Sequence, residues 1–125
     1  MLKNYKELNV WQKAYDLCLD IYRITKEFPD EERYGLVAQI RRAAVSVPSN
    51  IAEGYGRKGI ADYVRFLYVA YGSGCELETQ VLLSTDLGYI EGNTADRVRG
   101  NIGEVERMLK ALMKSLEAKV REAGK

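Results

Sequence analysis

Val98-Arg99-Gly100-Asn101-Ile102-Gly103-Glu104-Val105-Glu106-Arg107-Met108-Leu109-Lys110-Ala111-Leu112-Met113-Lys114-Ser115-Leu116 is the stretch that decides the fold. Within it Val98, Ile102, Val105, Leu109, Leu112 and Leu116 recur at steps of 4, 3, 4, 3 and 4. Alternating threes and fours line up on one side of an α-helix, whereas a strand needs steps of two. The residues between them are mostly charged or polar, so this helix buries one face and wets the other.

The same rhythm recurs three times upstream. Val10, Ala14, Leu17, Ile21, Ile24 and Phe28 form one seam, widened by a parallel line of Trp11, Tyr15, Cys18 and Tyr22. Pro29 stops that helix at Phe28, because a residue before proline avoids the α region; Asp30 is placed to cap the second helix. Val37, Ile40, Ala44, Val47 and Ile51 form a second seam with Pro48 inside it. Proline there removes one backbone bond and crowds the Ala44 carbonyl, which predicts a kink rather than a break. Ile60, Tyr63, Leu67, Ala70, Gly74, Leu77, Val81 and Ser84 form the third. Its mid-helix glycines, Gly72 and Gly74, are each unfavourable by about 1 kcal/mol relative to alanine, and close approach of a neighbouring helix is the expected compensation. Gly54, Gly56 and Gly59 end the second helix, and Gly88 ends the third, with Asn93-Thr94 as the next turn and cap.

These readings predict helices over about 8–28, 33–56, 60–87 and 94–120, in a single domain spanning 1–125. The tail from Ala118 is polar and expected to fray. Short loops between long helices give an all-α, antiparallel up-down-up-down four-helix bundle. The chain of 125 residues is long enough to bury one core unaided.

Composition narrows the chemistry. Nineteen Lys and Arg against 18 Asp and Glu leave +1, without the strong basic excess of a dedicated nucleic-acid binder. There is no histidine, which removes the commonest general base and metal ligand. A di-metal carboxylate site of the Glu-x-x-His kind cannot be built, and two cysteines are too few for a zinc site. Ser46, Ser49 and Ser73 lack a histidine partner. The reading is a non-enzyme with no catalytic residue, no metal and no cofactor. Cys18 and Cys75 fall on apolar stripes, as buried reduced thiols of a cytosolic protein would. The opening residues lack the apolar stretch of a signal peptide, and no run of 18 apolar residues occurs. A cytoplasmic protein with no membrane contact is expected. Gly54-Tyr55-Gly56-Arg57-Lys58-Gly59 spells a dinucleotide fingerprint, but a helix precedes it where that motif needs a strand.

Charge divides by segment. Residues 33–58 carry five basic and one acidic side chain, and residues 59–91 one basic and five acidic. An antiparallel hairpin turning near Lys58-Gly59 sets Arg41 level with Glu76, Arg42 near Glu78, and Glu53 one residue from Arg65. Interhelical ion pairs that fix register are the expectation, with a shared polar site among Arg41, Arg42, Asn50, Glu53, Glu76 and Glu78 as the sharper alternative. Removing Arg42 should then lower stability more than removing Lys13. Asn50 serves either the backbone freed by Pro48 or a polar group on another subunit. Arg107, Lys110, Lys114 and Arg121 share one stripe of the last helix, extended backwards by Arg99 and interrupted by Glu117. The stripe is either a solvated face or a phosphate-contacting surface, to which Arg57 and Lys58 at a bundle tip could add. Trp11, Tyr15, Tyr22, Tyr68 and Tyr71 flank the seams; amphipathic aromatics there either cap the core or form a subunit interface.

Three segments carry a resemblance: Leu8-x-Val10-Trp11-Gln12-Lys13-Ala14, then Gln39-x-x-Arg42-Ala43-Ala44-Val45-Ser46-Val47-x-Ser49-Asn50-Ile51-Ala52-Glu53-Gly54, then Gly72-Ser73-x-x-Glu76-Leu77-Glu78. Over about residues 5–115 the chain resembles the four-helix-bundle family named for proteins encoded within intervening sequences of bacterial 23S rRNA genes. The resemblance implies a homo-oligomer, a pentameric barrel, without enzymatic activity. That family is similar to the accessory protein of diversity-generating retroelements, which partners a reverse transcriptase and binds nucleic acid. The resemblance supports two functions as expectations: a homo-oligomer that binds RNA or a ribonucleoprotein, or an interaction scaffold, such as a reverse-transcriptase adaptor, without strong nucleic-acid binding of its own. The near-neutral charge sets this chain apart from the retroelement type.

Overall fold

Ile21, Ile40, Ile51, Leu67, Leu77, Ile102 and Leu109 are sealed from solvent where the four apolar seams converge. A computed structural model describes residues 2–124 and arranges them as α1 (Asn9–Thr25), α2 (Leu36–Tyr55), α3 (Ile60–Asp86) and α4 (Gly92–Ala123), with 3-10 turns at Tyr5–Glu7 and Asp30–Glu32. No strand occurs among the described residues. Each helix packs on its sequence neighbours and α1 closes on α4, while the diagonal pairs stay apart. This is the expected four-helix bundle, up-down-up-down.

The ends of the helices depart from expectation for local reasons. α1 stops at Thr25, three residues before Phe28. Thr25 Oγ1 donates to the Ile21 carbonyl at 2.8 Å and accepts from Arg41 Nε at 2.8 Å. The chain then unwinds through Glu27 and Phe28, whose N–H groups reach the carbonyls of Ile24 and Thr25, and Phe28 turns inward against Tyr89. α2 starts at Leu36 rather than 33; Asp30 lies in a 3-10 turn without capping, and Glu32 Oε1 instead accepts from Leu36 N at 3.2 Å. α2 runs unbroken through Pro48. Gly88 ends α3 as expected, with φ of +83°, the Tyr89 N–H on the Ser84 carbonyl at 2.8 Å and its own N–H on Thr85 at 3.0 Å, the two bonds of a Schellman cap. α4 begins at Gly92 without help from Asn93 or Thr94, and continues through Ala123 where fraying was expected. Met113 takes the buried position assigned to Leu112.

The glycines redistribute too. A Cβ on Gly54, inside α2, would stand 2.9 Å from Phe66 Cβ and 3.1 Å from the Tyr63 carbonyl oxygen. The close helix approach expected at Gly72 and Gly74 therefore occurs at Gly54. Gly74 faces Glu106 at an ordinary 3.5 Å, and nothing lies within 4 Å of Gly72.

The α2–α3 ion pairs do not form. Arg41 turns to α1, donating to Thr25 and to the Tyr22 carbonyl at 3.3 Å, with its guanidinium 4.6 Å from the Tyr22 ring centroid. Glu53 meets Arg57 of its own helix at 3.8 Å, and Arg65 holds Asp62 at 2.7 Å. Among the described residues Arg42, Glu76 and Glu78 have no ion-pair partner within 4 Å. Arg42 and Glu76 are exposed instead, and Glu78 is half-buried. The side-chain hydrogen bond that links α2 and α3 is instead a 2.7 Å contact between the Ser46 and Ser73 hydroxyls. Asn50 Nδ2 joins this bond, donating to Ser46 Oγ at 2.9 Å and to the Ser46 carbonyl at 2.8 Å, not to the Ala44 carbonyl that Pro48 leaves free.

Candidate nucleic-acid interface

The period of α4 turns Lys110, Lys114, Glu117 and Arg121 towards or just beside α3, which answers with Tyr68 and Tyr71. Together with Met113 these side chains line one groove of about 310 Å³. Two sets of residues read separately from the sequence, the basic stripe and the second tyrosine pair, are thus brought into one concavity. Tyr71 and Met113 form its inner part and Tyr68 stands exposed at its rim. The Lys110 ammonium lies 5.2 Å from the Tyr71 ring centroid, a cation–π contact. Hydrogen bonding to the Tyr71 hydroxyl raises the Lys110 pKa, so this lysine stays charged at any physiological pH.

The rest of the basic stripe is elsewhere. Arg107 is exposed but outside the groove lining, and Arg99 is half-buried, with its Nε enclosed and lacking a hydrogen-bond partner among the described residues. At the bundle tip Arg57 lies 3.8 Å from both Glu53 and Asp62 and over the Phe66 ring, with Arg65 also 4.6 Å from that ring. Its charge is shared by two carboxylates, whereas Lys58 is exposed. Sequence reasoning missed Met113 as a lining residue because Leu112 fitted the heptad better; the four-residue step from Leu109 was the available signal.

The first aromatic set lies on another face. Trp11 stacks on Tyr15 with centroids 5.0 Å apart and meets Tyr5 edge-on at 5.3 Å. These rings wall a second concavity, along α1 and α2, that continues past Tyr22. Trp11, Tyr15 and Tyr22 therefore belong to one surface and Tyr68 and Tyr71 to another.

Neither cysteine suits catalysis. Cys18 is free and half-buried, and burial pushes its thiol up. Cys75 is free and exposed, contrary to the buried position expected. Local desolvation and then its 3.4 Å contact with the Glu106 carboxylate raise its pKa, which disfavours the thiolate. Burial, then Tyr55, pushes Tyr63 up to about 12. The Tyr89 phenol is raised by donating to Glu32 at 3.0 Å. Among the described residues no group of three His, Cys, Asp or Glu side chains could hold a metal, and no helix is long and apolar enough to cross a membrane.

No curated protein matches the chain. The crystal structure of a protein of unknown function from the S23 ribosomal protein family of Bacteroides thetaiotaomicron superposes with a TM-score of 0.79, at 23% identity, covering 84% of this chain and 95% of that one. At that identity the likeness bears on the fold. The profile of the 23S rRNA-intervening sequence proteins matches residues 6–111. The chain belongs to the family of 23S rRNA-intervening sequence proteins.

Proposed function

We propose that the protein is a non-enzymatic, homo-oligomeric bundle of the cytoplasm that binds RNA, or a partner carrying RNA, through the α3–α4 groove. The observation that supports this is the lining itself: Lys110, Lys114 and Arg121 around Tyr68 and Tyr71. Cationic heads take phosphates, and tyrosine faces take unstacked bases, the combination that looped or single-stranded RNA requires. With a net charge of +1 the attraction must come from this local concentration. A ring of five, as the resemblance implies, presents the groove five times, and avidity multiplies a weak single contact.

The test replaces the three lining cations together: Lys110→Glu, Lys114→Glu and Arg121→Glu. Arg107, singled out by the sequence, is left intact because it does not line the groove. All three side chains are exposed, so the fold is retained. Labelled structured RNA titrated at two salt concentrations should give the parent a log–log slope of about −2 per occupied groove, the value for three neutralised phosphates on a single strand. The variant should lose binding at either salt. If it folds, keeps the parent mass and binds RNA as the parent does, the groove is a solvated face. The scaffold reading, an adaptor for a protein such as a reverse transcriptase, then takes its place. Glu117, an acid set among the cations, favours that second reading.

A further inference from the structure

α3 carries a second line of residues opposite its core seam. Val69, Gly72, Glu76, Thr79 and Leu83 recur at steps of 3, 4, 3 and 4 on the side facing away from the core, and Leu87 extends them. All six are exposed: Val69 by 46%, Leu83 by 49% and Leu87 by 50%. Gly72 has nothing within 4 Å, so another backbone can approach there. Three large apolar side chains, Val69, Leu83 and Leu87, thus stand uncovered along one line of the outer side.

The α1–α2 face has the complementary shape. Ala38, Val45, Ser49 and Ala52 are small side chains on the outer side of α2, walled by Trp11, Tyr15 and Tyr22 of α1. They line two adjoining concavities of about 610 and 320 Å³ that share Val45 and Ser49. Arg42 stands in the wider one, exposed and without an ion-pair partner among the described residues.

We infer that the outer seam of α3 from one copy lies in the α1–α2 trough of the next, with Arg42 of one chain paired to Glu76 of the other. The inference rests on the homo-oligomer reading and assigns its surfaces. Charge chooses the occupant. Two α3 seams packed on each other about a two-fold axis through their middle would set Glu76 against its own copy, and two troughs would set Arg42 against its own copy. Only seam in trough joins opposite charges. The charged side chains lining the trough are Arg41 and Arg42, both basic, and the one on the seam is Glu76, an acid. Because the two surfaces differ, the contact is head-to-tail, and a closed ring is the arrangement that leaves neither surface open. The packing is a helix in a groove, with apolar anchors at heptad spacing.

The test is a charge swap read by mass. Arg42→Glu and Glu76→Arg, each alone, should shift the parent assembly to monomer in light scattering at micromolar concentration, with helix content and melting of the single subunit retained. The double variant Arg42→Glu/Glu76→Arg should regain the parent mass. Mixing the two single variants should also restore association, because each supplies the charge the other has lost, which an ion pair inside one chain cannot do. If both single variants keep the parent mass, the copies meet elsewhere and the homo-oligomer reading survives without this interface. If neither the double variant nor the mixture reassociates, the pairing is wrong. If the parent is itself a monomer, both readings fall.

Discussion

The α2–α3 side and the α1–α4 side of the bundle are held in different ways. α2 and α3 meet through small groups: Gly54 leaves no room between itself and Phe66, and Ser46, Ser73 and Asn50 form one hydrogen-bonded knot. Among the described residues no direct ion pair joins the two helices, and charge links them only at the tip, where Arg57 lies between Glu53 and Asp62. Across the outer groove of α1 and α4 the links are ion pairs, Lys13 to Glu104 at 3.1 Å between two exposed side chains, and Arg97 to Asp20, whose carboxylate is half-buried. Close contact needs small residues at fixed positions and tolerates no substitution there. Solvated ion pairs can be lost with little effect, because water and salt replace most of what they contribute. Arg42, Glu76 and Glu78, which have no ion-pair partner among the described residues, are accordingly free for another use.

That contrast can be broken at three points. The largest effect is expected at Gly54. Alanine would gain about 1 kcal/mol of helix propensity, but its Cβ meets Phe66 Cβ and the Tyr63 carbonyl, atoms tied to the α3 backbone. Overpacking of about 1–3 kcal/mol outweighs the gain. Gly54→Val, bulkier and poorer in helices, should lower the melting temperature by roughly 10 °C. A melt unchanged by Gly54→Val would mean that α2 and α3 can slide apart freely. Ser46→Ala comes next: it leaves the Ser73 hydroxyl and the Asn50 amide each one partner short and should lower stability by about 1 kcal/mol, measured by urea unfolding. The smallest effect is expected for Lys13→Ala, within about 0.5 kcal/mol at low salt and absent at 1 M salt, because both members of its pair are exposed. Arg42→Ala belongs with it as far as the single subunit is concerned, reversing the ranking that interhelical pairing implied.

The seams made the fold legible. Steps of three and four fix which residues of a helix are buried, and Pro29, Gly88 and the glycines after Ile51 mark the turns. What the sequence left open was direction around the helix for polar side chains. Counting residues from the turn sets Arg41 near the level of Glu76, but residues near one level meet only if both lean towards the shared groove, and Arg41 leans to α1 under the pull of Thr25 and Tyr22. Half of the candidate groove was readable as a stripe on one helix. That Tyr68 and Tyr71 face it depends on the α3–α4 register, which no residue spacing within either helix reveals. Phe28 was placed in the core correctly but on the wrong element, because proline's effect spread three residues upstream through Thr25.

Trp11 has a consequence for how the molecule can be watched. It is the sole tryptophan of the chain, half-buried, stacked on Tyr15 and bordered by Pro48, Ser49 and Ala52 at the mouth of the trough. An indole there borders water on one side and carbon on the other, so whatever covers the trough changes its polarity and its collisional access. Its emission wavelength and its quenching by iodide are therefore an intrinsic optical signal for occupancy of that face, with no label and no second tryptophan to dilute it.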